Sequence, residues 1–433
     1  MALAAWAAVI LVGFAVGAVL RAAGHLPVDR FPPLHAAPRL LLGPLVPAAA
    51  GALIAVLVLP VAARRLPWAA LLAVAWLGSV LWAVLLQLPD GLARPLTAPT
   101  EYLAGLPAIG GDPLRWLRGF ARNMQAYPTH VKGHPPLPTL ILWALRYASL
   151  RDAGWAAALV ITVGGSASAA IAVTVRRLAG VETARRAVPF LVLAPTALWV
   201  ATSVDAFFLG VAAWAVALVT VAATQSAATG RFAGALAGGL LLGSLPYLSY
   251  GLLPMFALPL AVLLLTRPSR LVLVAVAAGC LVVPAAFTLA GFSWFAGVAG
   301  THAAWAAGGG ARARPYAYFL LGDLSVLALL IGPATAMALP AVLGRAVTLA
   351  RAIVRRKDPV DRGRLGWPVA AALIGMVALD LSGVTRGEVE RIWIPYATWM
   401  TIASAVHRPP ARTLLFAQAV TALAIQALVR SPW

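Results

Sequence analysis

The stretch Lys132-Gly133-His134-Pro135-Pro136-Leu137 places a lysine, a histidine and two prolines directly before an apolar run that ends near Leu150. Lysine is a compact point charge with three donors, which suits a phosphate. His134 can hydrogen-bond the same group, and His130 precedes it by four residues. The prolines set the backbone direction into the following helix, whose N-terminus adds a field that favours an anion. This construction suits a phosphate held at a membrane surface, with a hydrocarbon tail running beside 137–150. The plainer reading is a proline-rich turn with incidental basic residues.

Acids are the scarce currency of this chain, 13 Asp and Glu against 33 Lys and Arg. Glu101, followed by Tyr102, stands in a loop among apolar neighbours that would raise its pKa toward that of a useful base. Asp205 follows Ser203-Val204 and either orients a reacting group or caps the next helix. In Thr385-Arg386-Gly387-Glu388-Val389-Glu390-Arg391, the residues Arg386, Glu388 and Arg391 could bind sugar hydroxyls and phosphate, or form an ion-pair network at a span end. A loop over 291–316 carries His302, Gly308-Gly309-Gly310, Arg312, Arg314 and Tyr316, a basic aromatic segment able to close over a substrate. Asp112 reads as a helix cap and Asp90 as a turn residue. Asp323 and Asp380 lie inside apolar spans, where acids are costly and either functional or paired with arginine.

The elements that position these residues are membrane helices. Of 433 residues, 62% are hydrophobic and 11% charged, with mean hydropathy +0.90. A soluble domain averages about 25% charged residues. The net charge of +20 is almost all arginine, with two lysines. In a soluble protein it would suggest nucleic acid. Here the charges sit between spans, so topology explains them and no nucleic-acid partner is expected. Cys280 is the only cysteine, which excludes an internal disulfide and a cysteine metal site. The N-terminal apolar run has no basic n-region or clear cleavage site, and reads as a retained first span.

Candidate spans fall at about 3–20, 41–62, 67–88, 154–175, 187–204, 206–223, 232–248, 250–266, 271–291, 317–340, 366–383, 392–406 and 413–429. The run 137–150 is shorter than the ~17 residues a span needs. If it does not cross, the arginine clusters at 64–65, 176–177, 185–186, 267–270, 345–364 and 408–412 all share the side of the N-terminus, which the positive-inside rule makes cytoplasmic. The expectation is one integral membrane domain over 1–433. It comprises three spans in 1–88, an extracytoplasmic loop over 89–153, and the remaining spans in 154–433. That outer loop breaks the charge rule with Arg94, Arg115, Arg118, Arg122, Lys132, Arg146 and Arg151, as an anionic ligand would require. Within it, 112–127 reads as an amphipathic helix. Its arginines form one stripe; Trp116, Leu117, Phe120, Met124 and Tyr127 cover the opposite arc, suited to lying in the interfacial plane.

These motifs resemble the GT-C fold glycosyltransferases, polytopic enzymes that use polyprenyl-phosphate-linked sugars outside the cytoplasmic membrane. Protein mannosyltransferases and lipid A aminoarabinose transferases are of this type. The matching elements are Pro99-Thr100-Glu101-Tyr102-Leu103, then Lys132 to Leu137, then Ser203-Val204-Asp205-Ala206-Phe207. The resemblance implies an all-α polytopic fold of about 13 spans. It also implies a long catalytic-type outer loop and inversion at the sugar, and a single displacement with Glu101 as the one base fits the sparse set of acids. The family's acidic pair is reduced here to Thr100-Glu101. Its later outer lysine has no counterpart in Leu245-Pro246-Tyr247-Leu248-Ser249-Tyr250, and two extra spans precede the loop.

The expected partners are a polyprenyl-phosphate sugar donor, the bilayer, and an envelope glycan, lipid or protein acceptor. The expected substrate-binding residues are Tyr102, Arg122, His130, Lys132, His134, Arg314, Tyr316, Arg386, Glu388 and Arg391, beside the catalytic pair Glu101 and Asp205. No nucleotide loop is present. The superfamily leaves room for a divalent metal, although the acids show no ligand spacing. A transporter or flippase, or a noncatalytic binder of lipid-linked or anionic envelope substrates, is the competing class. For the transferase, Glu101, Lys132, His134 and Asp205 should converge on one outward-facing cavity.

Overall fold

The computed structural model describes residues 1–308, 313–355 and 363–432. Gly309, Gly310 and Arg312 of the 291–316 loop, and Arg356, Lys357 and Arg362 of the basic loop, lie outside the described residues. Among those described, seven helices are long and apolar enough to cross a membrane: Ala2–Ala22, Gly43–Arg65, Trp68–Asp90, Ala153–Ala179, Asp205–Thr224, Arg270–Leu289 and Tyr316–Ala352. Their exposed faces are rich in Leu and Val, which suits a lipid-facing surface. The chain is an all-α membrane protein. Shorter apolar helices at Tyr250–Thr266, Gly366–Leu381 and Arg412–Leu428 fill in the bundle.

The helices α1 (Ala2–Ala22), α2 (Val46–Arg65) and α3 (Trp68–Gln87) precede the long loop. The loop carries α4 (Tyr102–Gly105), α5 (Pro113–Gly119), α6 (Thr129–Lys132) and α7 (Leu137–Tyr147) before α8 (Ala153–Ala179). At 11 residues, α7 is about 16 Å long, half of the ~30 Å hydrocarbon thickness.

Small residues let the helices close on one another. At Gly239 and Gly243 a Cβ would lie 2.2 Å from the carbonyl oxygens of Val276 and Cys280, so only glycine permits this contact between Ala228–Leu248 and Arg270–Leu289. The helix Tyr316–Val354 breaks at Gly332, with φ 69°, just before Pro333. Gln418 repairs the break from both sides, accepting from the Ala334 N–H at 3.2 Å and donating to the Ile331 carbonyl at 2.9 Å. The segment expected as one span at 187–204 is instead two helices, Val181–Val192 and Ala197–Val200. The interruption falls at Pro195 and is buried within the protein, where irregular backbone is tolerated.

The bundle has two distinct ends. At one, Arg185 donates to the carbonyls of Ala63 at 2.6 Å and Leu66 at 3.0 Å, and Arg176 lies 4.6 Å over the Trp68 ring. At the other, Arg39 holds Asp90 through two bonds of 2.6 and 2.8 Å, and Gln426 donates to the same carboxylate at 2.9 Å. Asp90 is thus a structural pin. A two-residue antiparallel pairing of Ala37–Pro38 with Val429–Arg430 ties the loop after α1 to the C-terminal segment. The long loop lies at this second end.

One expectation is corrected. Residues 112–127 do not form one interfacial helix. Asp112 caps α5 as expected, accepting from the Arg115 N–H at 2.9 Å. The helix stops at Gly119, and a separate 3-10 turn follows at Met124–Ala126. The apolar arc faces protein instead of lipid. Phe120 stacks on Tyr127 and meets Phe292 edge-on, and all five of its aromatic and aliphatic members are buried. Burial against the 291–300 segment outweighs partition into headgroups, because it removes the same surface from water with better packing. Arg115, Arg118 and Arg122 remain exposed.

Candidate active site

The loop folds so that its acidic and His-Pro-Pro motifs meet. The His130 N–H donates to the Thr100 carbonyl at 2.9 Å, pinning α6 to the start of α4. Gly105 makes the approach possible, since a Cβ there would sit 2.7 Å from Val131. The Tyr102 ring is then 5.9 Å from His130 and 5.5 Å from His134, and the two imidazoles lie nearly parallel. Glu101 Oε1 is 3.5 Å from His130 Nε2.

Glu101 is 5% exposed. Burial pushes its carboxyl up to about 7; nearby Asp205 reinforces this and Arg391 opposes it. His130 is driven down to about 3, chiefly by burial and then by Arg391. The contact of these two groups is therefore between a titratable carboxyl and a neutral ring, and is no ion pair. Burial also takes His134 down to about 4. Its Nδ1 lies 2.9 Å from the His130 carbonyl, so this nitrogen carries the proton and donates it. Nε2 is left as an acceptor. At neutral pH the ring is uncharged and presents Nε2 as a hydrogen-bond acceptor, where its sequence context suggested a donor.

Behind Glu101 runs a line of alternating charges. Ser203 Oγ donates to Asp205 Oδ2 at 2.6 Å, and Arg391 Nη1 donates to the same oxygen at 2.8 Å. Arg391 Nη2 bonds Glu388 Oε2 at 2.8 Å, and Glu388 Oε1 accepts from Arg314 Nη1 at 2.8 Å. Arg314 continues to Asp29 through bonds of 3.2 and 3.1 Å, and Asp29 Oδ1 lies 2.7 Å from His35 Nδ1. Burial alone would raise the Glu388 carboxyl, but Arg314 and Arg391 outweigh it and hold the group far below the usual carboxylate range. For His35 burial works downward, and the bond to Asp29 with the fields of Glu388 and Glu390 leaves it raised. Glu388 has φ 58°, a left-handed conformation that a non-glycine residue holds only at a cost. Its two arginine contacts account for the constraint.

The sequence-derived residues separate into groups. Glu101, Tyr102, His130, His134, Asp205, Glu388, Arg391 and Arg314 form one connected region. Tyr316 and Arg386 lie at its rim: the guanidinium stands 5.2 Å from the Tyr316 ring and 5.3 Å from Trp305, and Tyr316 donates to the Leu381 carbonyl. Lys132 is half-buried, and its carbonyl accepts from Thr301 Oγ1 at 2.9 Å. None of the ion pairs among the described residues includes it. Arg122 is exposed.

Glu101, His134 and Asp205 are buried and Lys132 is half-buried, and the cavity beside α4 is lined by other residues. Asp29 and His35 were missed by sequence reasoning. The available signal was an acid and a histidine flanking a proline-rich turn (HLPVDRFPPLH) in a chain poor in both residue types.

A second acidic group adjoins the first. Asp323 accepts from the Gly387 N–H at 3.3 Å, yet one oxygen each of Asp323, Asp380 and Glu390 is buried without a hydrogen-bond partner. Among the described residues neither aspartate has an arginine within ion-pair distance. No group of three or more His, Cys, Asp or Glu among those residues is arranged to hold a metal ion.

Searches against protein-family models, curated proteins and solved structures found no match.

Proposed function

We propose that the chain is a membrane glycosyltransferase that moves a sugar from a polyprenyl-phosphate donor to a cell-envelope glycan, lipid or protein, on the extracytoplasmic face. The observation that carries this reading is the meeting of Glu101, held near neutrality, with the His130/His134 motif and the Asp205–Arg391–Glu388 line. Glu101 takes the proton of an acceptor hydroxyl as the oxygen attacks the anomeric carbon. The bond from that carbon to the phosphate oxygen breaks, and the phosphate leaves with the electron pair. A base whose pKa lies near the working pH suits this step. Arg391 and Arg314, each shared between two carboxylates, are the cations able to meet the developing charge by exchanging a carboxylate for phosphate. Because Glu101 is enclosed, substrate entry on this reading opens the contact between α4 and α6.

A thirteen-crossing topology belongs to the same proposal. It is supported by seven long apolar helices and six further helical segments, 181–200, 228–248, 250–266, 366–381, 394–406 and 412–428. Arg64, Arg185 and Arg186 line one cavity and Arg185 bonds the Ala63 and Leu66 carbonyls, a gathering of cations expected of a cytoplasmic side.

The test is transfer of radiolabel from polyprenyl-phosphate sugars in membranes expressing the wild type or Glu101→Gln. Label should reach product with the wild type and fall at least about a hundredfold with the variant, the usual scale for loss of a general base. Equal transfer by both removes Glu101 from the mechanism.

A transporter is the second reading, favoured by the unpartnered buried oxygens of Asp323 and Asp380 inside their helices. It requires flux of an anionic or lipid-linked solute into vesicles that fails in Asp323→Asn. Absence of such flux alongside measurable transfer disposes of it.

A further inference from the structure

A cavity of about 280 Å³ opens between α4, α7 and the start of α8. Its apolar walls come from Leu103, Leu106, Leu142 and Leu145, and its rim from Arg146 and Arg151. Both arginines are exposed, and neither takes part in an ion pair among the described residues. Asp152 also stands at the rim, but its carboxylate accepts from the Gly154 N–H at 2.7 Å and is committed to the start of α8. The surroundings place this opening at headgroup depth. Tyr147 is 79% exposed and stacks on Trp143 at 5.1 Å, and Trp155 is 53% exposed. Outward-facing aromatics of this kind mark the membrane interface.

We propose that this cavity binds an anionic membrane lipid, with the phosphate on Arg146 and Arg151 and the first part of a hydrocarbon chain against the leucines. Four apolar side chains with two cations at one lip match an amphiphile better than a free anion, which would leave the leucine walls wetted. The volume fits a headgroup and a short length of chain, while the remaining chain stays in the bilayer. The wall shared with the acidic cluster is a single helical turn: Leu103 and Ala104 of α4 line the cavity, and Glu101 and Tyr102 at its start are buried among the histidines. The inference does not rest on the transferase reading. The same phosphate chemistry arises from a bulk phospholipid or from a lipid-linked substrate.

Native mass spectrometry of the full chain in detergent tests it, using phosphatidylglycerol and farnesyl phosphate, with diacylglycerol and farnesol as their uncharged twins. The wild type should retain one phosphate lipid in preference to its twin. Arg146→Gln with Arg151→Gln should weaken that binding by at least about tenfold, as two lost charge-assisted bonds imply. Ala104→Trp, an exposed position at the cavity, should fill the space and reduce binding without touching either charge. Arg115→Gln with Arg118→Gln, on the exposed outer stripe, should leave it unchanged.

Preference for phosphatidylglycerol identifies a bilayer lipid, and preference for farnesyl phosphate a prenyl-linked ligand; both uphold the site. Equal retention of the uncharged twins, or equal loss from the Arg115/Arg118 pair, overturns it. Because the readout is retention and not transfer, its failure leaves the result with Glu101→Gln untouched.

Discussion

The two ends of the bundle use arginine differently. At the end of Arg64, Arg176 and Arg185, guanidinium groups bond backbone carbonyls, stack on Trp68 or face outward. Arg186 pairs with Glu182 at 3.3 Å, but both side chains are substantially exposed. At the other end Arg314 and Arg391 each hold one buried carboxylate, Asp29 and Asp205, and share the partly exposed Glu388 between them. The first pattern orients a chain in a membrane. The second is costly to assemble, because each ion loses its hydration and recovers it only through good geometry. A protein that keeps such a network next to a carboxyl held near neutrality has arranged a field, and fields are what polar chemistry needs.

The contrast can be broken most severely at Arg391. Arg391→Met leaves Asp205 buried without its guanidinium, while the partly exposed Glu388 keeps Arg314, and should destabilise the detergent-solubilised protein by about 3–5 kcal/mol in thermal or denaturant unfolding. A loss below about 1 kcal/mol would mean that water replaces the guanidinium and that the network is not a desolvated one.

A smaller effect sharpens the comparison through pH. His134 and His130 have folded pKa values depressed to about 4 and about 3, so the unfolded chain binds more protons below pH 6.5. Their contribution to stability is present above pH 6.5 and is lost as pH falls toward 4. Glu101 acts in the opposite sense. With its folded pKa raised to about 7, its contribution is present at low pH and lost as pH rises from about 4.5 through 7. Unfolding of His134→Gln should therefore show a shallower acid loss than the wild type. Glu101→Gln should show less decline toward neutral pH. Parallel profiles for all three proteins would contradict the burial assigned to this cluster. Transfer activity, if Glu101 is the base, should rise through pH 7.

The smallest effect is expected at the opposite end. Arg186→Met should change stability by less than about 0.5 kcal/mol, since the pair it breaks is exposed and screened. A cost comparable to that of Arg391→Met would erase the distinction between the two ends.

Composition and local pattern were enough for several features. Apolar runs without charges have no stable place outside lipid, so the membrane class and the long helices were legible directly from the chain. The Asp112 cap, the short α7 and the Asp90 turn were legible for the same reason: each depends on residues within a few positions of one another. The Glu388–Arg391 pair at i, i+3 was likewise legible.

What sequence could not decide was which surface each amphipathic arc would meet. Lipid and protein interior are both apolar, so the face of 113–127 suited either, and only packing against Phe292 settled it. Nor could spacing show that Asp29 and His35 would join Arg314, some 280 positions away, or that Asp205 would meet Arg391. A buried charge takes whichever opposite charge the tertiary fold brings within reach, and that choice is written in helix packing, not in neighbouring residues. The enclosure of Glu101 is of the same kind. Its apolar neighbours in sequence pointed toward a raised pKa, but the burial that produces the shift comes from the closing of α6 on α4, made possible by Gly105.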